Sequence, residues 1–251
     1  QTPDSAGTMT AIMSGVKTNF GVIGVDQNVQ RGNCASQSGS ELVSALMLAE
    51  VAGMSTGVIS TARITHATPA ATYAASVERN WEDISNMPVA AVEAGCEDIA
   101  LQLVQFEDRL EHLSGIEVDG LELALGGGRR HFLPTTVRND ASLEFHATIE
   151  TAPVEPRVGL RSDGRDLIGE WQKKYNKGRY VDTAASLLAL NSADKGPVLG
   201  LFSDSHMRYA ADRLAVINTE PSLSDMTAKG IDLLTGNPEG FFLVVEAGRI
   251  D

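Results

Sequence analysis

Three stretches of this 251-residue sequence carry side chains whose types and positions could do chemistry. The first is Thr2-Pro3-Asp4-Ser5-Ala6-Gly7-Thr8, a turn that puts a serine at the start of a helix. Free N–H groups and the positive end of the helix macrodipole at such a position stabilise both an alkoxide and a bound phosphate. The second, Thr61-Ala62-Arg63-Ile64-Thr65-His66-Ala67-Thr68-Pro69, follows a short apolar run; the third, Glu246-Ala247-Gly248-Arg249-Ile250-Asp251, follows another. Oxygen and imidazole donors in such places suit hard or borderline divalent cations. Each residue also has a plain structural use. Taken alone, Asp4 and Ser5 read as capping residues, Thr68 as the cap of a helix opened by Pro69, and His66 as a loop histidine. Glu246 could pair with Arg249, Asp251 could be a cap, and Arg79 in Val77-Glu78-Arg79-Asn80-Trp81 could be a solvated helix residue.

Several classes are disfavoured or excluded. No G-x-S-x-G elbow surrounds Ser5, which disfavours a serine esterase. Gly126-Gly127-Gly128 ahead of Arg129 and Arg130 lacks the Gly-Lys-hydroxyl sequence of a P-loop and reads as a sharp turn. The net charge of −13, with basic residues scattered singly, argues against nucleic acid as the main partner. No apolar run approaches the ~20 residues of a membrane-spanning helix. Cys34 and Cys96 match no zinc-ligand spacing; two buried thiols are at least as compatible with the sequence as a disulfide, and a bridge would suit an oxidising compartment.

The elements that must position these residues alternate between helical periods and short apolar runs. Asp4 caps a helix from Ser5 towards Met13, stopped by Gly15, and a second helix reads from Ser40 to Val51. Gly57 to Ser60 reads as a buried strand and Pro69 as the opening of a helix. Further on, Cys96 to Phe106, Asp166 to Tyr175 and Thr183 to Leu190 are helical by period, whereas Leu121 to Leu125 and Val198 to Phe202 read as strands. Ser222 with Asp225 forms a capping box for a helix through Leu234, and Phe241 to Val245 is the last strand. Continuous apolar strands separated by helices predict an α/β fold, a three-layer sandwich with a mainly parallel central sheet. Ligands in such sheets gather beyond the carboxyl ends of the strands, where the second and third stretches fall. Residues 129–161 read as an excursion over the surface of a single α/β domain spanning 1–251.

At this point the sequence resembles the alkaline phosphatase family. The resemblance rests on Pro3-Asp4-Ser5-Ala6, His66-Ala67-Thr68-Pro69-Ala70, Arg79-Asn80-Trp81, Leu125-Gly126-Gly127-Gly128, Leu199-Gly200-Leu201-Phe202 and the run Gly240 through Asp251, in the family's order. It implies hydrolysis of small-molecule phosphate monoesters through a phosphoserine at Ser5, with Arg79 on the phosphate oxygens and Asp4 orienting both. It further implies that Thr68, Glu246 and His66 belong to a magnesium site, with His66 standing where some members have Asp. Asp251 and Ser5 would then meet zinc. A homodimer, and a periplasmic or extracellular location, follow from the same resemblance. Thr68 and Arg79 are 11 residues apart, about 16 Å along a straight helix, so the helix opened by Pro69 is expected to end before Arg79 and the chain to turn back. The family also supplies an Asp upstream of the nucleophile and His and Asp ligands beyond the final carboxylate. The chain is accordingly expected to be the central portion of a longer one, poor in metal and turnover by itself. Two alternatives stay open: a phosphodiesterase or sulfatase of the same superfamily, and a non-catalytic extracytoplasmic phosphate-binding module built on the helix at Ser5.

Overall fold

Five strands form the centre of the computed structural model, which describes residues 2–135, 159–193, 196–215 and 219–250. They are β1 (Ser55–Arg63), β2 (Leu123–Gly127), β3 (Arg179–Val181), β4 (Val198–Leu201) and β5 (Phe241–Glu246), in the spatial order β3-β4-β2-β1-β5. Every pairing is parallel, with Gly57 opposite Leu123 on one side and Leu243 on the other. The strand alternation divides the apolar runs between two layers. Val58, Ala124, Leu199 and Leu201 face one core, Ile59, Leu123, Leu125 and Val198 the other.

Ten helices are described: α1 (Ser5–Ser14), α2 (Ala45–Val51), α3 (Ala67–Ala70), α4 (Val89–Glu93), α5 (Ile99–Val104), α6 (Phe106–Ser114), α7 (Leu167–Lys174), α8 (Ala184–Leu188), α9 (Ala210–Ala215) and α10 (Leu223–Leu234). The first core takes Met9 and Met13 of α1, Leu46 of α2, Leu103 of α5, Leu110 of α6 and Trp171 of α7. The second takes Leu187 of α8 with Met226 and Leu234 of α10. Helices therefore cover both sheet faces, and the architecture is the three-layer α/β sandwich that the pattern implies.

Local chemistry sets most of the boundaries. Asp4 caps α1, and Gly15, at φ 73°, ends it in the left-handed conformation that glycine adopts without penalty. The capping box of Ser222 and Asp225 is present at α10, and Thr183 makes another with Ser186 at α8. Several boundaries differ from the sequence expectation. The helix expected from Ser40 begins at Ala45, because Ser44 is the cap, its hydroxyl taking the Met47 N–H at 3.1 Å and donating to Thr72 O at 2.6 Å. The preceding residues pair elsewhere: Leu42 N–H donates to Gly24 O and Glu41 bridges Val25. The helix expected over Cys96 to Phe106 starts only after Asp98, whose carboxylate caps α5 and pairs with the fully buried Arg161, and it breaks at Gln105 before α6. Pro69 does not open its helix but lies in the first turn of α3, where its missing N–H is still one with no intrahelical partner. Gly126 and Gly127 close β2, and only Gly128, at φ 95°, makes the turn.

Residues 16–44 and 71–98 build a smaller unit with little regular structure. Cys34 and Cys96 are joined in a disulfide with Cα atoms 5.9 Å apart. The bridge sits against a separate core of Val22, Val25, Val29, Ala75, Val77, Trp81, Met87 and Ala91. Residues 136–158, most of the stretch expected to be a surface excursion, lie outside the described residues.

Candidate active site

The N-terminus of α1 is tied to the disulfide unit by one carboxylate. Asp4 Oδ1 accepts the Gly7 N–H at 3.0 Å, which caps the helix that opens with Ser5. Its Oδ2 accepts the Gly21 N–H at 3.1 Å and Arg79 Nη1 at 3.0 Å. Gly21 also receives the Arg79 backbone N–H on its carbonyl at 2.9 Å, so the arginine is held at both ends. A side chain at Gly21 would collide with Arg31, whose guanidinium grips Glu78, the residue before Arg79. The Asp4 and Arg79 side chains are 8% and 17% exposed, so the pair is largely dry yet open on one side.

The helix carrying Thr68 ends at Ala70, nine positions before Arg79, and the chain does turn back, as the reach argument required. Arg79 Nη2 meets His66 Nε2 at 3.2 Å. A neutral imidazole accepting there does not offer that lone pair to a metal. Thr68 sits inside α3, which packs against α1, β1 and β5. Glu246, last residue of β5, lies opposite Ser60 and accepts its hydroxyl at 2.5 Å. Asp251 lies outside the described residues. Among the described residues, no three His, Cys, Asp or Glu side chains converge to hold a metal. They therefore do not make a zinc tetrahedron by themselves. The hydroxyl and carboxylate oxygens of Thr68 and Glu246 are donors of the kind a hard cation such as magnesium accepts.

Sequence reasoning missed a cluster beside this site. Arg63, last residue of β1, holds Glu82 through Nε at 2.8 Å and Nη2 at 2.7 Å, and Thr65 donates to the same carboxylate at 2.7 Å. Burial raises the Glu82 carboxyl, but the Arg63 hydrogen bonds and neighbouring positive charge outweigh it and leave it below the usual range. His131 reaches Asp83 through Nδ1 at 2.5 Å and Glu82 through Nε2 at 3.5 Å. On the other side of Arg63, Nη1 meets His206 Nε2 at 2.6 Å. Burial first, then the positive charge of Arg63, pushes His206 down to about 4, so it is neutral at physiological pH. One signal could have found His206: it follows β4, and the rule that sends polar residues to the ends of strands applies to that strand as to the other two.

The family model described as alkaline phosphatase matches residues 1–251. The chain belongs to the alkaline phosphatase family. It is 42% identical over 255 residues to the tissue-nonspecific alkaline phosphatase of Gallus gallus, covering 100% of this chain and 45% of that protein. Against the Homo sapiens tissue-nonspecific isozyme the identity is 38% over 254 residues, covering 100% and 44%. The chain thus spans less than half the length of these alkaline phosphatases. Among solved structures, the Thermus thermophilus alkaline phosphatase aligns with a TM-score of 0.67 at 27% identity, covering 99% of this chain and 38% of that one. The cold-active alkaline phosphatase of Shewanella sp. aligns with a TM-score of 0.61 at 26% identity, covering 98% and 42%.

Proposed function

We propose that this chain forms the nucleophile and phosphate clamp of an enzyme that hydrolyses phosphate monoesters through a phosphoserine at Ser5. One observation carries the reading: the Asp4 carboxylate that caps the Ser5 helix also holds Arg79, so hydroxyl and guanidinium share an anchor. Two of the Arg79 N–H donors are taken by Asp4 and His66, and the rest of the planar fork is left to match phosphate oxygens. In the first step the Ser5 oxygen attacks phosphorus, the bond to the leaving alcohol breaks, and the phosphoryl group is transferred to Ser5. In the second, water attacks phosphorus, the Ser5 ester bond breaks, and inorganic phosphate leaves while Arg79 holds its oxygens. Asp4, kept by Gly7 and Gly21, stops the guanidinium from swinging away between the steps.

The same reading assigns Thr68, Glu246 and His66 to the surroundings of a magnesium ion, and Ser5 with Asp251 to zinc. Divalent cations bound there supply the positive charge that makes a serine hydroxyl nucleophilic near neutral pH and that offsets the protein's negative field. A homodimer and a periplasmic or extracellular location complete the proposal; a Cys34–Cys96 disulfide persists in such a setting.

The experiment is to quench the full-length protein at acid pH during turnover of a monoester and to sequence its phosphopeptides by mass spectrometry. The expected result is phosphate on Ser5, with both label and turnover lost in Ser5→Ala. Turnover that survives Ser5→Ala, or a label on another residue, would refute the nucleophile. Preference for a diester or a sulfate ester would move the protein to the other branch of its superfamily.

A further inference from the structure

His206 stands on a loop nailed down on both sides. Gly128 N–H donates to the carbonyls of Ser203 and Ser205, Ser203 Oγ donates to the His206 carbonyl at 3.0 Å, and Met207 N–H donates to Thr61 O at 3.0 Å. The His206 ring is fixed in turn by Arg63 Nη1 at 2.6 Å, and Arg63 is locked by its two-point grip on Glu82. The free edge of this braced assembly meets His66: the two rings lie 5.3 Å apart at 72°, the edge-to-face arrangement that aromatic quadrupoles favour. His66 is the residue against which Arg79 Nη2 rests. Asp4 holds one nitrogen of the fork, and His66 the other.

We propose that His206 is a positioning residue for Arg79, acting by holding the His66 ring against the guanidinium. The inference rests on the reading of Arg79 as the phosphate clamp. An arginine side chain carries much rotamer freedom, and a fork already held at both nitrogens loses less of it when phosphate binds. Loss of His206 removes the ring that backs His66 and loosens the support of the second nitrogen of the fork, while Asp4 keeps its hold on the first. The consequence falls on phosphate in substrate and product alike, so it moves KM and product inhibition together rather than kcat.

The test measures, in the full-length enzyme, KM and kcat for a chromogenic monoester, the inhibition constant of inorganic phosphate, and phosphate binding by calorimetry. His206→Ala is expected to raise KM and the phosphate inhibition constant together by roughly tenfold, with kcat within about twofold of the parent. His206→Phe keeps a ring against His66 and is expected to stay within about threefold of the parent. In an Arg79→Ala background, His206→Ala is expected to change phosphate affinity no further. His206→Asn removes the ring but keeps polarity and replaces the alanine variant if that does not fold. Unchanged phosphate affinity in His206→Ala, a loss in His206→Phe as large as in His206→Ala, or a full further loss in the Arg79→Ala background would each overturn the proposal. A parent that binds phosphate but hydrolyses no ester refutes the hydrolase reading, and calorimetry then decides the role of His206 by the same three comparisons.

Discussion

The sheet and the disulfide unit are held by different means. The sheet buries β1, β2 and β4 under helices on both faces, so apolar area removed from water is its main support. The disulfide unit, running through residues 16–44 and 71–98, has a small core of valines and alanines around Trp81 and Met87, one covalent bridge and scattered hydrogen bonds such as Gly24 N–H to Thr10 Oγ1 at 3.0 Å. The division matters because the candidate chemistry straddles it. Ser5, Thr68 and Glu246 ride on elements packed around the sheet, whereas Arg79 belongs to the small unit between Val77 and Trp81. Stability and phosphate recognition should therefore respond to different substitutions.

The largest separation is expected from the bridge. The disulfide spans 62 residues, and closing a loop of that size restricts the unfolded chain by about 4 kcal/mol in the chain-entropy treatment. Cys34→Ser with Cys96→Ser should lower the unfolding free energy by roughly that amount in a denaturant titration and weaken phosphate binding by calorimetry, while far-ultraviolet dichroism of the sheet and its helices stays. Phosphate affinity equal to the parent's would show that the small unit does not place Arg79.

A smaller effect is expected at the opposite, amino end of the sheet. Burial first, then the charge of Glu122, pushes the Glu50 carboxyl up to about 8; Thr56 donates to it at 2.6 Å. Glu122, also raised mainly by burial, sits at about 7. Both folded values exceed the ordinary carboxylate value, so the folded protein holds these protons more tightly than the unfolded chain. Their contribution is complete at acid pH and is lost as pH rises through 7 and 8. Glu50→Gln should flatten this decline, making the variant more stable than the parent near pH 9 by on the order of 1–2 kcal/mol, with phosphate affinity unchanged. Thermal unfolding from about pH 5 to about pH 9 checks it; parallel curves for parent and variant would remove Glu50 from the account.

The same contrast explains what could be read from the amino-acid sequence. The apolar strands β1, β2, β4 and β5, the Asp4 cap and the Ser222–Asp225 box are local signals that tertiary packing left in place. The Arg79 turn followed from reach once the family resemblance had put Thr68 and Arg79 in one site. The small unit was not: its backbone bonds join residues far apart in sequence, so Leu42 and Val43 fit a helical period while Leu42 pairs with Gly24. β3 is three residues long, too short for any periodicity to mark it. His206 and Glu82 carry no spacing signal, because Arg63 joins them only across the folded molecule.

The central claim is that Asp4 joins the two regions, holding the Ser5 helix with one oxygen and Arg79 with the other. A double-mutant cycle on kcat/KM in the full-length enzyme, with Asp4→Asn, Arg79→Ala and both, tests it most directly. The account predicts that each single change costs about 10- to 100-fold and that the double variant is little worse than Arg79→Ala alone. Losses that simply multiply would show that carboxylate and guanidinium act independently, and would contradict it.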